Sequence, residues 1–177
     1  MKLVKGRPAD TLERLAKEIR VYDLLNEIGM EFERVDHEAA ETMGACEEID
    51  RVLNAVICKN LFLCNAQKTK FYLLMVCGDK KFKTKEISRQ INSPRLSFAP
   101  SDKMEEYLDI TPGSVSVMGL MNDKENNIQL LIDRELAESE YFGCHPCVNT
   151  SSMRMKTKDL LEKFLPAVHH EPIYVEV

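Results

Sequence analysis

Apolar positions in the first third of the chain follow two different periods. Over residues 11–28 they recur at steps of three and four, which predicts an amphipathic helix that ends at Gly29. Residues 31–35 alternate polar and apolar side chains, as a half-buried strand does, and lead to His37. The chain is therefore predicted to open with a helix, a strand and a short second helix over residues 47–55.

Two longer apolar runs come next. Residues 55–64 and 71–77 are separated by a short polar turn, and this arrangement predicts a β-hairpin. Residues 83–91 are polar with spaced apolar positions, which is typical of a surface helix. Another helix is predicted over residues 101–108, with Ser101 as its N-terminal cap.

Turn residues divide the second half of the chain. Pro112-Gly113 predicts a turn, after which residues 114–121 and 128–133 are interpreted as the strands of a second hairpin. A final helix is predicted over residues 157–164, where Pro166 is expected to stop it.

The order of these elements determines the fold class. Strands and helices interleave irregularly and hairpins outnumber crossover units, which disfavours a doubly wound parallel sheet. We therefore expect an α+β fold with a curved, mixed β-sheet and surrounding helices. A length of 177 residues suits one domain, and no repeat or Gly/Ser-rich linker marks a boundary. Residues 1–177 are predicted to form a single domain.

Composition and charge narrow the class of protein but not its activity. No apolar run approaches the roughly 20 residues of a membrane span, and no apolar stretch follows the basic N-terminus as in a secretory signal. We expect a soluble protein of the cytoplasm with no membrane partner. The net charge of -5 argues against a uniformly basic protein that binds DNA, although residues 31–48 are acidic and residues 68–95 are basic.

The six cysteines do not suggest a disulfide framework. Cys58, Cys64 and Cys77 lie inside apolar runs, where buried free thiols are expected. Cys144-His145-Pro146-Cys147 is a C-x-x-C segment, which raises redox or zinc chemistry as a rival function. Its surroundings indicate a loop rather than the start of a helix, and no second cysteine pair completes a zinc set.

Three further polar features are candidates for chemistry. Lys59 interrupts an apolar strand, so its ammonium must either reach solvent at the strand end or bind an anion. Gly113 begins either an ordinary turn or a loop whose backbone approaches a ligand closely. His145 is a candidate for chemistry, whereas a lone histidine such as His37 is more often structural. The basic residues 80–85 are either a solvated surface or a track for a nucleic-acid backbone.

Three short blocks carry a family resemblance. They are Arg95-Leu96-Ser97-Phe98-Ala99, Gly113-Ser114-Val115-Ser116-Val117 and His145-Pro146-Cys147-Val148-Asn149. Together with Cys58-Lys59-Asn60-Leu61-Phe62-Leu63, and with Asp36-His37 followed by Thr42, they resemble the stand-alone prolyl-tRNA editing proteins. These are aminoacyl-tRNA deacylases of the YbaK and prolyl-tRNA-synthetase-insertion class. The resemblance covers nearly the whole chain and implies the fold of that class.

The resemblance also implies roles for individual residues. The catalytic set would be Lys59, on the 3′-terminal nucleotide of a tRNA, Gly113, whose loop amides hold the ester carbonyl, and His145, at the aminoacyl pocket. The residues expected to contact the substrate are Thr42, Ser114, Val115, Ser116 and Asn149. Those expected to bind the tRNA backbone are Lys81, Lys83 and Arg95. Val117 stands where the family usually has proline.

The implied activity is trans-editing, the hydrolysis of alanine wrongly attached to proline-specific tRNA. A pocket built for proline excludes a smaller residue by only about 1–3 kcal/mol, so a second site that admits only small side chains restores fidelity. Two alternatives are a deacylase for mischarged cysteine or serine, and a non-catalytic tRNA-binding module of the same fold. The expected partner is tRNA, with prolyl-tRNA synthetase as a candidate second partner. No metal or organic cofactor is implied.

Overall fold

The fold comes from a computed structural model that describes residues 1–40, 42–55 and 57–177. Its strands are β1 (Leu3–Lys5), β2 (Glu33–Asp36), β3 (Lys59–Cys64), β4 (Phe71–Val76), β5 (Ser97–Phe98), β6 (Ile128–Asp133), β7 (Tyr141–Cys144), β8 (Ser151–Lys156) and β9 (Ile173–Val175). Its first helices are α1 (Ala16–Glu27), α2 (Met43–Leu53), α3 (Thr84–Gln90), α4 (Ser101–Leu108) and α5 (Arg134–Ala137). A 3₁₀ helix spans Val117–Asn122. The last helical stretch is α6 (Thr157–Asp159), a π turn (Leu160–Phe164) and α7 (Leu165–Ala167).

A five-stranded mixed sheet forms the centre of the fold. Its strand order is β5-β3-β4-β6-β9. The predicted first hairpin is confirmed, because β3 and β4 pair antiparallel from Lys59 opposite Val76 to Cys64 opposite Phe71. Strand β6 pairs parallel with both β4 and β9, which makes the sheet mixed as expected. Val56, near the predicted start of this hairpin, lies outside the described residues.

A second sheet of four antiparallel strands, in the order β1-β2-β8-β7, was not predicted from the sequence. It meets the first sheet at a parallel bridge between Ile57 and Gly143, where the Cys58 N–H donates to the Gly143 carbonyl at 2.8 Å. A Cβ at position 143 would lie 3.1 Å from the Ile57 Cα, so glycine permits this close approach. The predicted α+β class with a mixed sheet and surrounding helices is confirmed.

The five-stranded sheet is buried on both faces, because successive strand residues point to opposite sides. Phe62 and Leu73 belong to the larger apolar cluster, which extends to α1 and the second sheet. Leu63 and Leu74 belong to a smaller cluster under α3. We call these two sides the large-core face and the small-core face. No helix in the described part of the chain has the length and apolarity needed to cross a bilayer.

The predicted second hairpin is wrong. Residues 114–121 form an extended segment followed by the 3₁₀ helix, so β6 has no antiparallel partner there. The hydroxyl of Ser116 accepts a hydrogen bond from the Met118 N–H at 3.1 Å and caps that helix. A Cβ at Gly119 would lie 2.7 Å from Ile110, so this close-packed helix requires glycine. Apolar runs of this length do not by themselves distinguish strand from helix.

Helix boundaries differ from prediction in smaller ways. Helix α1 starts five residues later than expected because Leu12 is exposed, and α2 starts earlier, after Thr42. Ser101 is the first residue of α4 rather than its cap, since Pro100 holds the cap position and makes no side-chain bond. Pro166 does not stop the last helix, because the π turn restarts the helix at Leu165 and proline is tolerated in a first turn.

Candidate active site

The junction between the two sheets positions two of the predicted catalytic residues. Ile57 and Gly143 run side by side in the same direction at the bridge. Lys59 lies two residues beyond the bridge at the start of β3, and His145 lies two residues beyond it in the loop that directly follows β7. The chain therefore brings a lysine from the first half and a histidine from the second half to one edge of the fold.

The Lys59 ammonium is held at this edge by the backbone. Its Nζ donates to the Lys80 carbonyl at 3.0 Å, and the side chain is half-buried. An ammonium has three donors, so the remaining two are available to a ligand. Lys59 shares the small-core face with Leu61 and Leu63, while Asn60 points to the large-core face.

An acidic cluster lies beyond Lys59. Ligand atoms of Cys77, Asp133 and Glu135 are within 4.8 Å of one another, a spacing that suits a metal ion. The Lys80 ammonium already bonds both carboxylates, at 2.7 Å to Asp133 and 2.6 Å to Glu135, and these bonds raise the pKa of Lys80. Lys80 therefore neutralises the cluster, and the expectation that no metal takes part stays a prediction.

Gly113 forms a turn with an exposed backbone. Its φ of +92° is one that side-chain-bearing residues rarely adopt. The Ser114 N–H closes the turn on the Thr111 carbonyl at 3.2 Å. In the described part of the chain, the N–H groups of Gly113 and Val115 bond to no acceptor. Two backbone donors are thus left for a ligand at this turn.

The rest of this segment is buried. Ser114 and Ser116 are buried, and the Ser116 hydroxyl caps the 3₁₀ helix, so contact of either residue with a substrate stays a prediction. Val117, at the family's proline position, is fully buried in the large-core face and begins the 3₁₀ helix. In the family a proline ring at this position restricts the backbone. Here the burial of Val117 and the Ser116 cap restrict the same backbone instead.

The loop from Cys144 to Asn149 packs against the Gly113 segment at both of its ends. A Cβ on Gly113 would lie 3.9 Å from the Asn149 Nδ2. At the other end, the Ser116 side chain lowers the pKa of the Cys144 thiol, although burial raises it more, so the two residues are neighbours. The free amides of the turn therefore lie beside the loop that carries His145.

His145 has a defined tautomer. Its Nδ1 lies 2.9 Å from the Ser151 carbonyl, which can only accept, so Nδ1 carries the proton. The Nε2 of the neutral ring then keeps its lone pair. Burial lowers the pKa of His145, and the nearby His37 lowers it further, so the ring is neutral at physiological pH. Among the described residues, nothing bonds the Nε2 of this half-buried imidazole, which can accept a proton or a hydrogen bond from water.

His37 supports this arrangement from the first strand. Its Nδ1 donates to the Glu38 carbonyl at 2.7 Å, and its Nε2 lies 2.8 Å from the Ser152 hydroxyl. The same hydroxyl is 3.4 Å from the His145 Nδ1. The structural role expected for His37 fits these contacts.

The remaining predicted residues fall into two groups. Thr42 is exposed and its hydroxyl accepts from the Ala45 N–H at 3.2 Å, so it caps α2. Lys83 and Arg95 line one groove on the small-core side, whereas Lys81 is exposed outside it. The roles assigned to all three cations stay predictions.

The thiols contradict the redox alternative. All six cysteines are free, and Cys144 and Cys147 are buried. Burial raises the pKa of Cys147 to about 12 and holds that of Cys144 well above its ordinary value. Neither thiol can supply the thiolate that disulfide exchange requires. Of the three predicted buried thiols, Cys58 and Cys64 are buried and Cys77 is partly exposed.

Sequence reasoning missed three polar residues at the site. Asn60 donates to the Cys58 carbonyl at 3.2 Å, while its buried Oδ1 has no partner among the described residues. Ser151 and Ser152 hold the two histidines. Asn60 could have been noticed, since it directly follows Lys59 in an apolar run, but the two serines carry no such signal.

This geometry can be compared with known proteins. Residues 37–163 match the family model of the aminoacyl-tRNA editing domain, which covers most of the chain, including Lys59, Gly113 and His145. The chain therefore belongs to the aminoacyl-tRNA editing domain family. It is an aminoacyl-tRNA deacylase, and its substrate class is aminoacyl-tRNA.

Individual relatives agree with this assignment. The chain is 32% identical over 143 residues to the prolyl-tRNA editing protein ProX of Acetoanaerobium sticklandii, covering 81% of this chain and 87% of that protein. It is 29% identical over 161 residues to prolyl-tRNA synthetase associated domain-containing protein 1 of Danio rerio, covering 90% and 85%. A solved structure described as a candidate trans-editing enzyme for prolyl-tRNA synthetase superposes with a TM-score of 0.68 at 16% identity, covering 92% and 98%, and shows the same fold.

Proposed function

We propose that this deacylase removes alanine wrongly attached to proline-specific tRNA. The relative at 32% identity, which is named a prolyl-tRNA editing protein, supports proline-specific tRNA as the substrate body. The observation that carries the proposal is the packing of the Gly113 turn, with its two free N–H donors, against Asn149 of the loop that also carries His145.

The turn is assigned to the ester carbonyl. When water attacks the carbonyl carbon, the oxygen gains negative charge, and the N–H groups of Gly113 and Val115 stabilise that charge. Backbone donors fixed before reaction need no rearrangement at the transition state. The ester bond to the tRNA ribose then breaks, and the products are the free amino acid and a tRNA with its terminal hydroxyl restored.

His145 and Lys59 are assigned to water and to tRNA. The free Nε2 of His145 accepts a hydrogen bond from the attacking water and orients it, while a ribose hydroxyl of the tRNA assists in moving the proton. The two free donors of the Lys59 ammonium bind phosphate or ribose oxygens of the 3′-terminal nucleotide. Asn149 and the backbone of Ser114–Ser116 border the aminoacyl group, and Thr42 contributes from the start of α2.

Size selects the amino acid in this proposal. A pocket that admits alanine rejects the larger proline ring, which leaves the correct product intact. Cysteine and serine are close to alanine in volume, so a deacylase for either of them is the alternative. The chain acts as a single editing domain in the cytoplasm, and prolyl-tRNA synthetase is the candidate protein partner that delivers substrate.

The test is a panel of esters on one tRNA body. Purified protein is mixed in excess with alanyl-, cysteinyl-, seryl- and prolyl-tRNA of the proline-specific type, and ester loss is timed against buffer alone. The proposal predicts fastest loss of alanine and no loss of proline above the buffer rate. If the cysteinyl or seryl ester is lost faster than the alanyl ester, that amino acid is the preferred substrate instead. If all four esters are lost at the same rate, the site does not select by size.

A further inference from the structure

An exposed aromatic ring lies on the edge strand β5. Phe98 is 63% exposed, and its ring meets Phe82 edge to face with centroids 6.2 Å apart. Both rings line a groove of about 1030 Å³, here called the Phe98 groove. The charged residues that line it are Lys83, Lys85, Glu86, Arg89 and Arg95.

The Phe98 groove is locally basic on a protein of net charge -5. Its one carboxylate, Glu86, is bonded to Arg89 at 2.6 Å. Within the described residues, Lys83, Lys85 and Arg95 form no ion pair. A single exposed apolar side chain is ordinary, but one surrounded by unpaired cations combines the two features of a single-stranded nucleic-acid site. Cations follow the phosphates, and the ring stacks on a base.

The groove lies on the same side of the sheet as Lys59. Phe98 pairs with Leu63, and Leu63 shares the small-core face with Lys59, four residues earlier on β3. Four residues of strand span about 13 Å, at roughly 3.3 Å each. At a rise of about 3.4 Å per stacked nucleotide, this distance corresponds to roughly four nucleotides. Because α3 covers the face between Lys59 and the groove, a strand held at its terminus by Lys59 has to pass around this helix, so roughly four nucleotides is the least that reaches the groove.

We propose that Phe98, supported by Phe82, is a stacking platform for an unpaired nucleotide near the 3′ end of the tRNA. Lys83 and Arg95 contact the phosphates on either side of that nucleotide. This inference rests on the proposed function, since Lys59 must hold the terminal nucleotide for the distance to match. It assigns a binding role to two phenylalanines that the chemistry at Gly113 does not use.

The two edges of the central sheet provide a matched control. Phe98 lies on the β5 edge, and Tyr174, 39% exposed, lies on β9 at the opposite edge. The chain contains no tryptophan, so Phe98→Trp introduces a single tryptophan, whose fluorescence is excited separately from that of the five tyrosines. The variants are Phe98→Leu, which keeps an apolar side chain without a ring, Phe98→Trp, which keeps a ring, and Tyr174→Leu.

Each variant is titrated with deacylated proline-specific tRNA, intact or lacking its unpaired 3′ nucleotides. Phe98→Leu is expected to raise the Kd for intact tRNA roughly 5- to 150-fold, the range for loss of one stacked base. Phe98→Trp is expected to bind within about twofold of the unaltered protein, with fluorescence quenched by intact tRNA only. Tyr174→Leu should leave both Kd values unchanged.

Several results would overturn the platform. One is an unchanged Kd for Phe98→Leu, and another is an equal loss of affinity for the shortened tRNA. If Phe98→Leu instead makes the protein alone sediment as a smaller species, the occupant is a second copy of this chain. Hydrolysis of alanyl-tRNA by the unaltered protein is measured alongside. If no hydrolysis occurs, the proposed function is overturned together with the platform. If hydrolysis occurs but Phe98→Leu binds tRNA as tightly as the unaltered protein, the platform alone is overturned.

Discussion

The Gly113 segment with the His145 loop, and the Phe98 groove, pack against opposite faces of the same sheet and are built in opposite ways, while Lys59 lies on the face of the groove. At the active site, polar groups are fixed by internal bonds, as with His145 on the Ser151 carbonyl and Ser116 on the Met118 N–H. In the groove, Lys83 and Arg95 have no ion-pair partner among the described residues. Chemistry needs atoms that are fixed before the substrate arrives, whereas binding a flexible strand needs charges that remain free.

This difference predicts that backbone geometry matters most at Gly113. Gly113→Ala adds a Cβ at a φ of +92°, which strains the turn and moves its two N–H donors. We expect kcat to fall about 10²–10³-fold, the usual loss for one oxyanion donor, with little change in KM. Single-turnover deacylation measures it.

Gly29→Ala is the matched control for this strain. Gly29 has a φ of +72° and no atom within 4 Å of its would-be Cβ, and it lies after α1. The Gly29→Ala variant should lose about 1 kcal/mol of stability and keep the kcat of the unaltered protein. Full kcat in Gly113→Ala would remove the turn from the mechanism.

The next effect concerns His145. His145→Asn removes the Nε2 lone pair and is expected to lower kcat about 10²-fold, the lower end for general-base assistance. Because burial lowers the pKa of His145 below about 6.5, the unaltered enzyme should hold its rate down to that pH and lose it as the ring is protonated at lower pH. The variant should lack this acid limb. An identical pH profile in both proteins would contradict the role.

A smaller effect is expected for Ser116→Ala, a variant that tests whether the Ser116 hydroxyl supports the 3₁₀ helix or contacts the substrate. Ser116→Ala removes the cap of the 3₁₀ helix and should cost about 1 kcal/mol of stability. This corresponds to a fall in Tm of roughly 2–4 °C for a chain of this size. Calorimetry and KM are measured together, and a large rise in KM at unchanged Tm would show that the hydroxyl touches substrate instead.

The smallest effects are expected for the two groove cations Lys83 and Arg95. Lys83→Gln and Arg95→Gln should each weaken tRNA binding roughly threefold and lower the slope of log Kd against log salt by about 0.7, as for one phosphate contact. Lys124→Gln, exposed in the turn before β6, is the matched control and should change neither. Slopes equal to that of the unaltered protein would show that the groove cations are only solvated.

The elements predicted correctly from the sequence are those with a regular spacing of apolar residues or with turn residues at their ends. The β3–β4 hairpin followed from two apolar runs around a polar turn, and Lys59 stood out because it is charged within one of them. Helices α1, α3 and α4 were found within a few residues of their ends, apart from the late start of α1.

What the sequence could not show depends on contacts between distant segments. The bridge between Ile57 and Gly143 joins residues far apart in the chain, and it brings the segment that leads to Lys59 alongside the segment that leads to His145. The 3₁₀ helix after Ser116 was mistaken for a strand because its apolar run has no decisive period. The tautomer of His145 depends on a carbonyl six residues away that no motif marks.

The central claim is that the edge formed by Lys59, the Gly113 turn and His145 hydrolyses alanyl but not prolyl esters of proline-specific tRNA. The most direct measurement times the loss of both esters with the unaltered protein, Lys59→Ala and Lys70→Ala, the last being exposed at the far end of the hairpin. We predict selective loss of alanine, slowed roughly 10- to 150-fold by Lys59→Ala as a charged hydrogen bond is removed, and unchanged in Lys70→Ala. Equal rates for Lys59→Ala and the unaltered protein, or loss of proline as fast as alanine, would contradict the account.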